Sequence, residues 1–406
     1  MERNHKFFLN ILQCALDGRR LTATEDVTTE QWGEILSLAN KHNVLPLVYD
    51  VVFGHPNLAN STALRGQVRQ LVMLQTVKTS QFMQVYGQLK AKGCKPLVVK
   101  GFVCRSLYPQ PDLRLSTDED LLTPTEQFGL CCQVFEDYGM STDMTEAEMA
   151  AAYEVPFRKT DGPLYVELHK SLFPPQSDAY GDWNRFFDKA GEKAIETDGV
   201  YTLGHTDHMF YLICHAFKHF LHSGFGIRQL CDMAVYANAY GNLINWEEVH
   251  KNCCEINAQT FAATLFVIAE KYLVLNGEKS CLPQYFMDEA VDETNMLADL
   301  LSAGVFGGAT MSRKHSSNMT LEAVTADKQG KTAKKPLKNT LFPPAEKLKD
   351  RYIYLEEKPY MLPIAWADRM VNYIKESRSV QDNSALETLQ TGSARIELLR
   401  EYKVIK

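Results

Sequence analysis

Between residues 95 and about 172 the hydrophobic period of this chain changes, and that change limits the folds open to it. Short apolar runs of strand length alternate there with helix-period segments, while the text on both sides is helical. The pattern therefore predicts an α+β fold, a small mixed sheet embedded in a mostly helical chain. Pro96-Leu97-Val98-Val99 reads as a buried strand, followed by Lys100-Gly101 and a helix over 102–108. A second strand is expected over 112–122, then a helix over 124–138 opened by Thr123 and ended by Gly139. Two further strands, 157–160 and 164–168, flank Asp161-Gly162, a strong hairpin signal.

The flanks follow the 3.6-residue rule. Trp32, Ile35, Leu36, Ala39 and His42 form one stripe, with Thr28 or Thr29 as its cap. Leu71, Leu74, Phe82, Val85, Tyr86 and Leu89 form another, which stops at Gly93. Beyond 175 nearly everything reads as helix, with candidates at 201–221, 228–240, 246–254 and 259–275. Residues 304–340 carry Gly304, Gly307 and Gly308, and from 311 to 340 seven Lys/Arg face two Asp/Glu. A flexible basic loop or lid is expected there, with a solvated linker as the plainer alternative. Leu341-Phe342-Pro343-Pro344 and Leu362-Pro363-Ile364-Ala365-Trp366 return to packed helix. Five segments result: 1–92, 93–175, 176–303, 304–340 and 341–406.

Composition excludes several classes. With 45% hydrophobic and 23% charged residues, the 406-residue chain is an ordinary globular one. A net charge of −7 argues against a broad nucleic-acid-binding field. No stretch approaches the roughly 20 apolar residues of a membrane span. The opening MERNHKFFLNILQCALDG contains Asn10 and Gln13 and lacks a cleavage site, so it reads as an amphipathic helix rather than a signal peptide. The ten cysteines, including the adjacent pairs Cys131-Cys132 and Cys253-Cys254, form no CxxC or zinc spacing. Structural thiols in a reducing, cytoplasmic setting are expected.

The candidate chemistry lies at Arg114-Leu115-Ser116-Thr117-Asp118-Glu119-Asp120-Leu121-Leu122. On a strand, Asp118 and Asp120 share a face with Cα atoms roughly 7 Å apart. Both carboxylates can then hold one divalent ion, or two about 3.5–4 Å apart. Magnesium, or manganese in its place, suits oxygen ligands of this kind. An Asp-x-Asp alone is weak, since about one or two arise by chance in such a chain, and its plain reading is a solvated strand end. Glu167, an acid in the apolar run Tyr165-Val166-Glu167-Leu168, strengthens it, because a buried carboxylate needs a partner or a metal. At Lys100-Gly101 the glycine lets a phosphate approach backbone N–H groups, and Lys100 either neutralises that phosphate or caps the strand end.

This ordering resembles the nucleotidyltransferase fold superfamily: an apolar residue then glycine, an Asp-x-Asp, and a later acid between apolar residues. More narrowly, Val98-Val99-Lys100-Gly101, Leu107-Tyr108-Pro109, Arg114, Asp118-Glu119-Asp120-Leu121-Leu122 and Val166-Glu167-Leu168-His169 resemble the uncharacterised nucleotidyltransferase family of bacteria. The likeness continues through Trp32, Ala39 and His42, His215-Ala216-Phe217-Lys218-His219, Arg228, Asp232 and Leu341-Phe342-Pro343-Pro344. It implies catalysis by Asp118, Asp120 and Glu167, with Mg²⁺ or Mn²⁺ held by all three. A nucleoside monophosphate would pass from an NTP such as ATP to an unknown acceptor hydroxyl, with Glu167 as third ligand or as base. The acidic Glu119 departs from the usual apolar middle position.

On the helix around 209–221, His215 and His219 are four residues apart, a pair short of a metal set. That helix is expected to face the cleft, so that Lys218 or His219 contacts a triphosphate together with Lys100, Gly101 and Arg114. Arg228 and Asp232 read as an i, i+4 ion pair. The rival reading is a catalytically silent relative that binds a nucleotide or a partner protein; a metal-dependent hydrolase is a third. Two expectations about variants follow. Gly101→Val should weaken NTP binding in a folded protein. Asp120→Asn should hold or raise metal-free stability, because it relieves repulsion between carboxylates.

Overall fold

A computed structural model describes residues 2–21, 27–55, 58, 62–175, 177–304, 311–330, 348, 352, 358–368 and 385–406. A seven-stranded mixed sheet lies at its centre, in the order β3-β4-β5-β2-β1-β7-β6. The strands are β1 (Leu97–Val99), β2 (Glu119–Leu122), β3 (Met140–Ser141), β4 (Glu154–Lys159), β5 (Tyr165–His169), β6 (Ile195–Thr197) and β7 (Val200–Thr202). β2 runs parallel to β5 and antiparallel to β1, and β1 pairs in parallel with β7. The expected hairpin around Asp161-Gly162 is β4–β5, closed by Lys159 N–H donating to Leu164 O.

The helices before the sheet's end are α1 (Arg3–Leu16), α2 (Thr29–Lys41), α3 (Leu45–Val52), α4 (Thr62–Ala91), α5 (Gly101–Arg105), α6 (Thr125–Asp137) and α7 (Glu146–Ala151). Thr28 caps α2 in a reciprocal box with Gln31. Gly93 after α4 and Gly139 after α6 both adopt positive φ, as a helix end requires. Thr123 does not cap α6; its backbone N–H instead donates to His169 O, and Pro124 precedes the first turn. Tyr86 of α4 ties two strands together: its hydroxyl donates to Pro96 O and accepts from Tyr201 N–H, both at 2.8 Å.

The expected helix over 201–221 begins later. Its first residues form β7, and the hairpin β6–β7 turns on Asp198 and Gly199, both at positive φ. The helices that follow are α8 (His205–His222), α9 (Ile227–Tyr240), α10 (Trp246–Glu255), α11 (Gln259–Tyr272), α12 (Gly277–Ser280), α13 (Gln284–Met287) and α14 (Thr294–Ala303). The expected loop over 304–340 is corrected in part by α15 (Met311–Lys328). Ser316, Met319, Thr320, Ala323 and Val324 lie buried on one side of it, a small-residue face that reads poorly as hydrophobic text. α15 packs on α8 and on α16 (Ala385–Glu401). A short helix spans 362–368, while Leu341-Phe342-Pro343-Pro344 lies outside the described residues.

One apolar core, from Phe8 to Ile405, runs through all of these segments except 348–365, which has a small cluster of its own. No helix among the described residues is long and apolar enough to cross a membrane. Eight cysteines are buried and two, Cys254 and Cys281, are exposed; all ten are free thiols.

Candidate functional site

Asp120 on β2 stands in register with Glu167 on the adjacent parallel strand β5. Paired residues on neighbouring strands project from the same face, so both carboxylates open on one side of the sheet. His169, two residues beyond Glu167, shares that face. Its Nε2 lies 3.1 Å from Asp120 Oδ1 and 3.7 Å from Glu167 Oε2. Glu154, opposite His169 on β4, brings Oε2 to 3.5 Å from Nδ1. One ligand atom from each of Asp120, Glu167 and His169 falls within 4.8 Å of the others, a set able to hold a divalent ion.

Asp118 is placed differently from the expectation. The strand begins at Glu119, so Asp118 comes from the preceding loop and sits half-buried, outside the 4.8 Å group. Side chains from α4 explain the late start. Lys78 Nζ donates to Ser116 O and Thr117 O at 2.5 and 3.1 Å, and Ser116 N–H donates to Gln75 Oε1 at 2.8 Å. Those backbone groups are thereby drawn away from the sheet ladder.

Glu119 points to the other face and is fully buried. Arg105 Nη2 donates to its Oε1 at 2.7 Å and Ser116 Oγ donates to the same atom at 2.9 Å. The unusual middle acid is therefore the anion of a buried Arg105 pair. It also dictates Gly101, because a Cβ there would collide with Glu119 Oε2. For the folded, binding-impaired Gly101→Val protein expected from the sequence this adds a second effect: a side chain at 101 should press on that pair and lower stability too.

Lys100 occupies the strand-to-helix turn at φ 47°, ψ −107°, a combination normally left to glycine. Three contacts hold it there. Its N–H donates to His208 Nε2 at 3.2 Å, and Nζ lies 2.9 Å from Asp120 Oδ2 and 3.0 Å from His215 Nε2. Because Lys100 N–H can only donate, His208 carries its proton on Nδ1, and that N–H donates to Thr202 Oγ1, which in turn donates to Val98 O. Burial pushes His208 down to about 3 and keeps it neutral.

Charge at the cluster is divided unevenly. Burial opposes ionisation of Asp120, but the Lys100 charge and the His169 hydrogen bond outweigh it and hold Asp120 well below the usual carboxylate range. Burial and the charges of Asp120 and Asp118 push Glu167 up to about 7. Burial also works against the Lys100 charge, yet Asp120 and Asp118 keep it protonated. The Lys100–Asp120 pair reverses the expectation for Asp120→Asn. Metal-free, that change should strand a buried ammonium and lower stability.

Around the recess beside Gly101, α8 contributes Leu212 and His215, and α9 contributes Arg228, Gln229 and Asp232. Lys218 of α8 is half-buried; burial lowers its proton affinity, and Glu154, Asp120 and Glu167 act on it electrostatically. His219 stacks edge-on to His215 with centroids 4.7 Å apart, and burial pushes it down to about 3. Arg114 is buried, with Nε and Nη2 forked on Asp232, whose Oδ1 also accepts from Tyr108 at 2.8 Å. The expected Arg228–Asp232 pair is therefore corrected to Arg114–Asp232, and Arg114, which also lines the recess, ties the loop to α9. His169 was quoted in the sequence motif without a role; its i, i+2 spacing from Glu167 was the available signal.

No curated protein and no solved structure matches the chain. The family model described as "uncharacterised nucleotidyltransferase" matches residues 28–274, from the cap of α2 to just beyond α11 and so across the whole sheet and the acid cluster. With more than half of its length matched, this chain belongs to that uncharacterised nucleotidyltransferase family.

Proposed function

We propose that the chain is a metal-dependent nucleotidyltransferase that moves a nucleoside monophosphate from an NTP to an acceptor hydroxyl. The observation that carries this reading is the registered pair Asp120–Glu167 with His169 beside it. Asp120 and Glu167, joined by Asp118 from the loop, would hold Mg²⁺ or Mn²⁺, and His169 orients Asp120. Such an ion supplies positive charge at the α-phosphate and aligns the reactants. Glu167, in register with Asp120, serves as the third ligand or as the base that accepts the proton of the acceptor hydroxyl. The acceptor oxygen then bonds to the α-phosphorus, the α–β bridging bond breaks, and diphosphate leaves. Lys100, Gly101, Lys218 and His219 face the triphosphate, and Arg114 acts by positioning the loop that carries Asp118. The acceptor is a small molecule, a sugar or a protein in preference to an RNA end, and the protein works in the cytoplasm.

One contact favours the rival reading. Lys100 Nζ sits on Asp120 Oδ2, where an ion would bind, as in a silent relative whose lysine replaces the metal. Thermal unfolding separates the two. In the enzyme, Mg²⁺ or Mn²⁺ with NTP raises Tm, and Asp120→Asn and Glu167→Gln abolish the metal-dependent part. Stabilisation by NTP alone, equal in wild type and Asp120→Asn, supports the silent nucleotide binder, and no stabilisation by any NTP overturns the enzyme and leaves only a silent relative that binds a partner protein.

A further inference from the structure

Arg228 is a buried cation whose expected anion is engaged elsewhere. It stands in the first turn of α9 and is 7% exposed. Asp232, one turn on, is taken by Arg114 and Tyr108. Arg228 Nη1 donates to Leu115 O at 2.5 Å, but its buried Nε has no hydrogen-bond partner among the described residues. A guanidinium cannot shed its proton, so a full charge is buried with Leu115 O as its hydrogen-bond acceptor and no direct ion pair among the described residues. Around the recess, Lys100 is matched by Asp120, while Arg114 takes both oxygens of Asp232, so Arg228 feels Asp232 and the half-buried Asp118 only through space. The start of α9 adds to the positive field. Its cap, Gly226, offers no side chain, and this helix of 14 residues directs its N-terminal partial charge toward Arg228 and Gln229. The recess is small, about 30 Å³, and Lys100, Gly101, Asp118, His215, Arg228 and Gln229 line it.

We infer that Arg228 and the first turn of α9 form a phosphoryl-binding site, with Lys100 at its edge. The assignment of that phosphoryl group to an NTP rests on the function proposed above. On that reading the α-phosphate lies over Asp120 and Glu167, the chain of phosphates runs past Gly101, and Arg228 takes a phosphate of the leaving diphosphate. Nothing but positioning and charge is asked of it, and the fork geometry of a guanidinium suits a phosphate's paired oxygens.

Inorganic diphosphate is the probe, titrated calorimetrically into the whole chain in EDTA so that metal binding plays no part. Wild type should bind it, Arg228→Ala should bind at least about tenfold more weakly, and Arg228→Lys should lie between. Asp120→Asn should bind as well as wild type or better, since Lys100 is then released toward the recess. If Arg228→Ala fails to fold for want of its Leu115 contact, Arg228→Lys and Arg228→Gln decide, the lysine retaining more affinity than the amide. Folded Arg228 variants with wild-type affinity, or a wild type that ignores millimolar diphosphate, overturn the inference. Arg228-dependent diphosphate binding in a protein that transfers no nucleotide leaves this site standing and removes the proposed reaction. Transfer that proceeds with Arg228-independent diphosphate binding does the opposite.

Discussion

At Glu167 burial and two neighbouring acids act in the same direction, and a pH-dependent stability follows. Its proton affinity rises from the ordinary 4.5 to about 7, so between those values the folded protein binds more protons than the unfolded one. That contribution weakens the fold as pH rises from about 4.5 to about 7 and is level above. The depressed histidines oppose it: His42 and His222, pushed down to about 4 by burial, strengthen the fold as pH rises through about 4 to 6.5. The readable quantity is therefore a difference. In EDTA, Glu167→Gln should gain stability over wild type progressively up to about pH 7, as measured by denaturant unfolding; a difference that stays constant with pH contradicts the assignment. Asp120→Asn, by contrast, should cost about 3 kcal/mol in EDTA, the usual scale for breaking a buried pair. These residues were unequally legible. Asp120 followed from the Asp-x-Asp and Glu167 from its place in an apolar run, while the spacing rule that paired Asp118 with Asp120 applies instead to Glu167 and His169. The Lys100–Asp120 and Arg105–Glu119 pairs were not legible, because nothing in the local text states which cation reaches which acid across the fold.

The turn between β1 and α5 combines two demands on a single residue. Lys100 must hold a glycine-like backbone and also carry an ammonium. Lys100→Ala and Lys100→Gly both lose the ammonium but differ in strain. The glycine variant should be more stable than the alanine one by about 1 kcal/mol, and equal stabilities in denaturant unfolding would contradict the strained turn. The β6–β7 hairpin was legible and went unread. Asp198-Gly199 carries the same signal as Asp161-Gly162, but the helical periodicity that follows it drew residues 201 and 202 into α8. Gly199 has room for a Cβ, with only Met83 Cε at 3.7 Å, yet its φ of 81° disfavours one. Gly199→Ala should therefore cost about 1 kcal/mol and leave NTP-induced stabilisation unchanged. α15 was missed for another reason: its buried side is largely Ser, Thr and Ala, which a hydrophobic count does not register.

Across the whole molecule, helices remote in sequence fix the cleft. His42, at the end of α2, accepts from Ile227 N–H through Nδ1 and donates Nε2–H to Leu301 O, which joins α2 to the start of α9 and to α14. It thereby holds the turn that carries Arg228, and a stripe position in the N-terminal helices becomes a support of the site. The α+β class and the central strands were legible because their period is local. The seven-strand order was not, since the β1–β7 pairing joins segments about 100 residues apart. The central claim is that this cleft passes the α-phosphate of an NTP to a hydroxyl. Parallel incubations with NTP labelled at the α- or the γ-phosphate, Mg²⁺ or Mn²⁺ and a cell extract test it directly. α-Label should appear on an acceptor and γ-label should be released as diphosphate, with neither event in Asp120→Asn or Glu167→Gln. Transfer of the γ-label to an acceptor, or α-transfer undiminished in those variants, would contradict it.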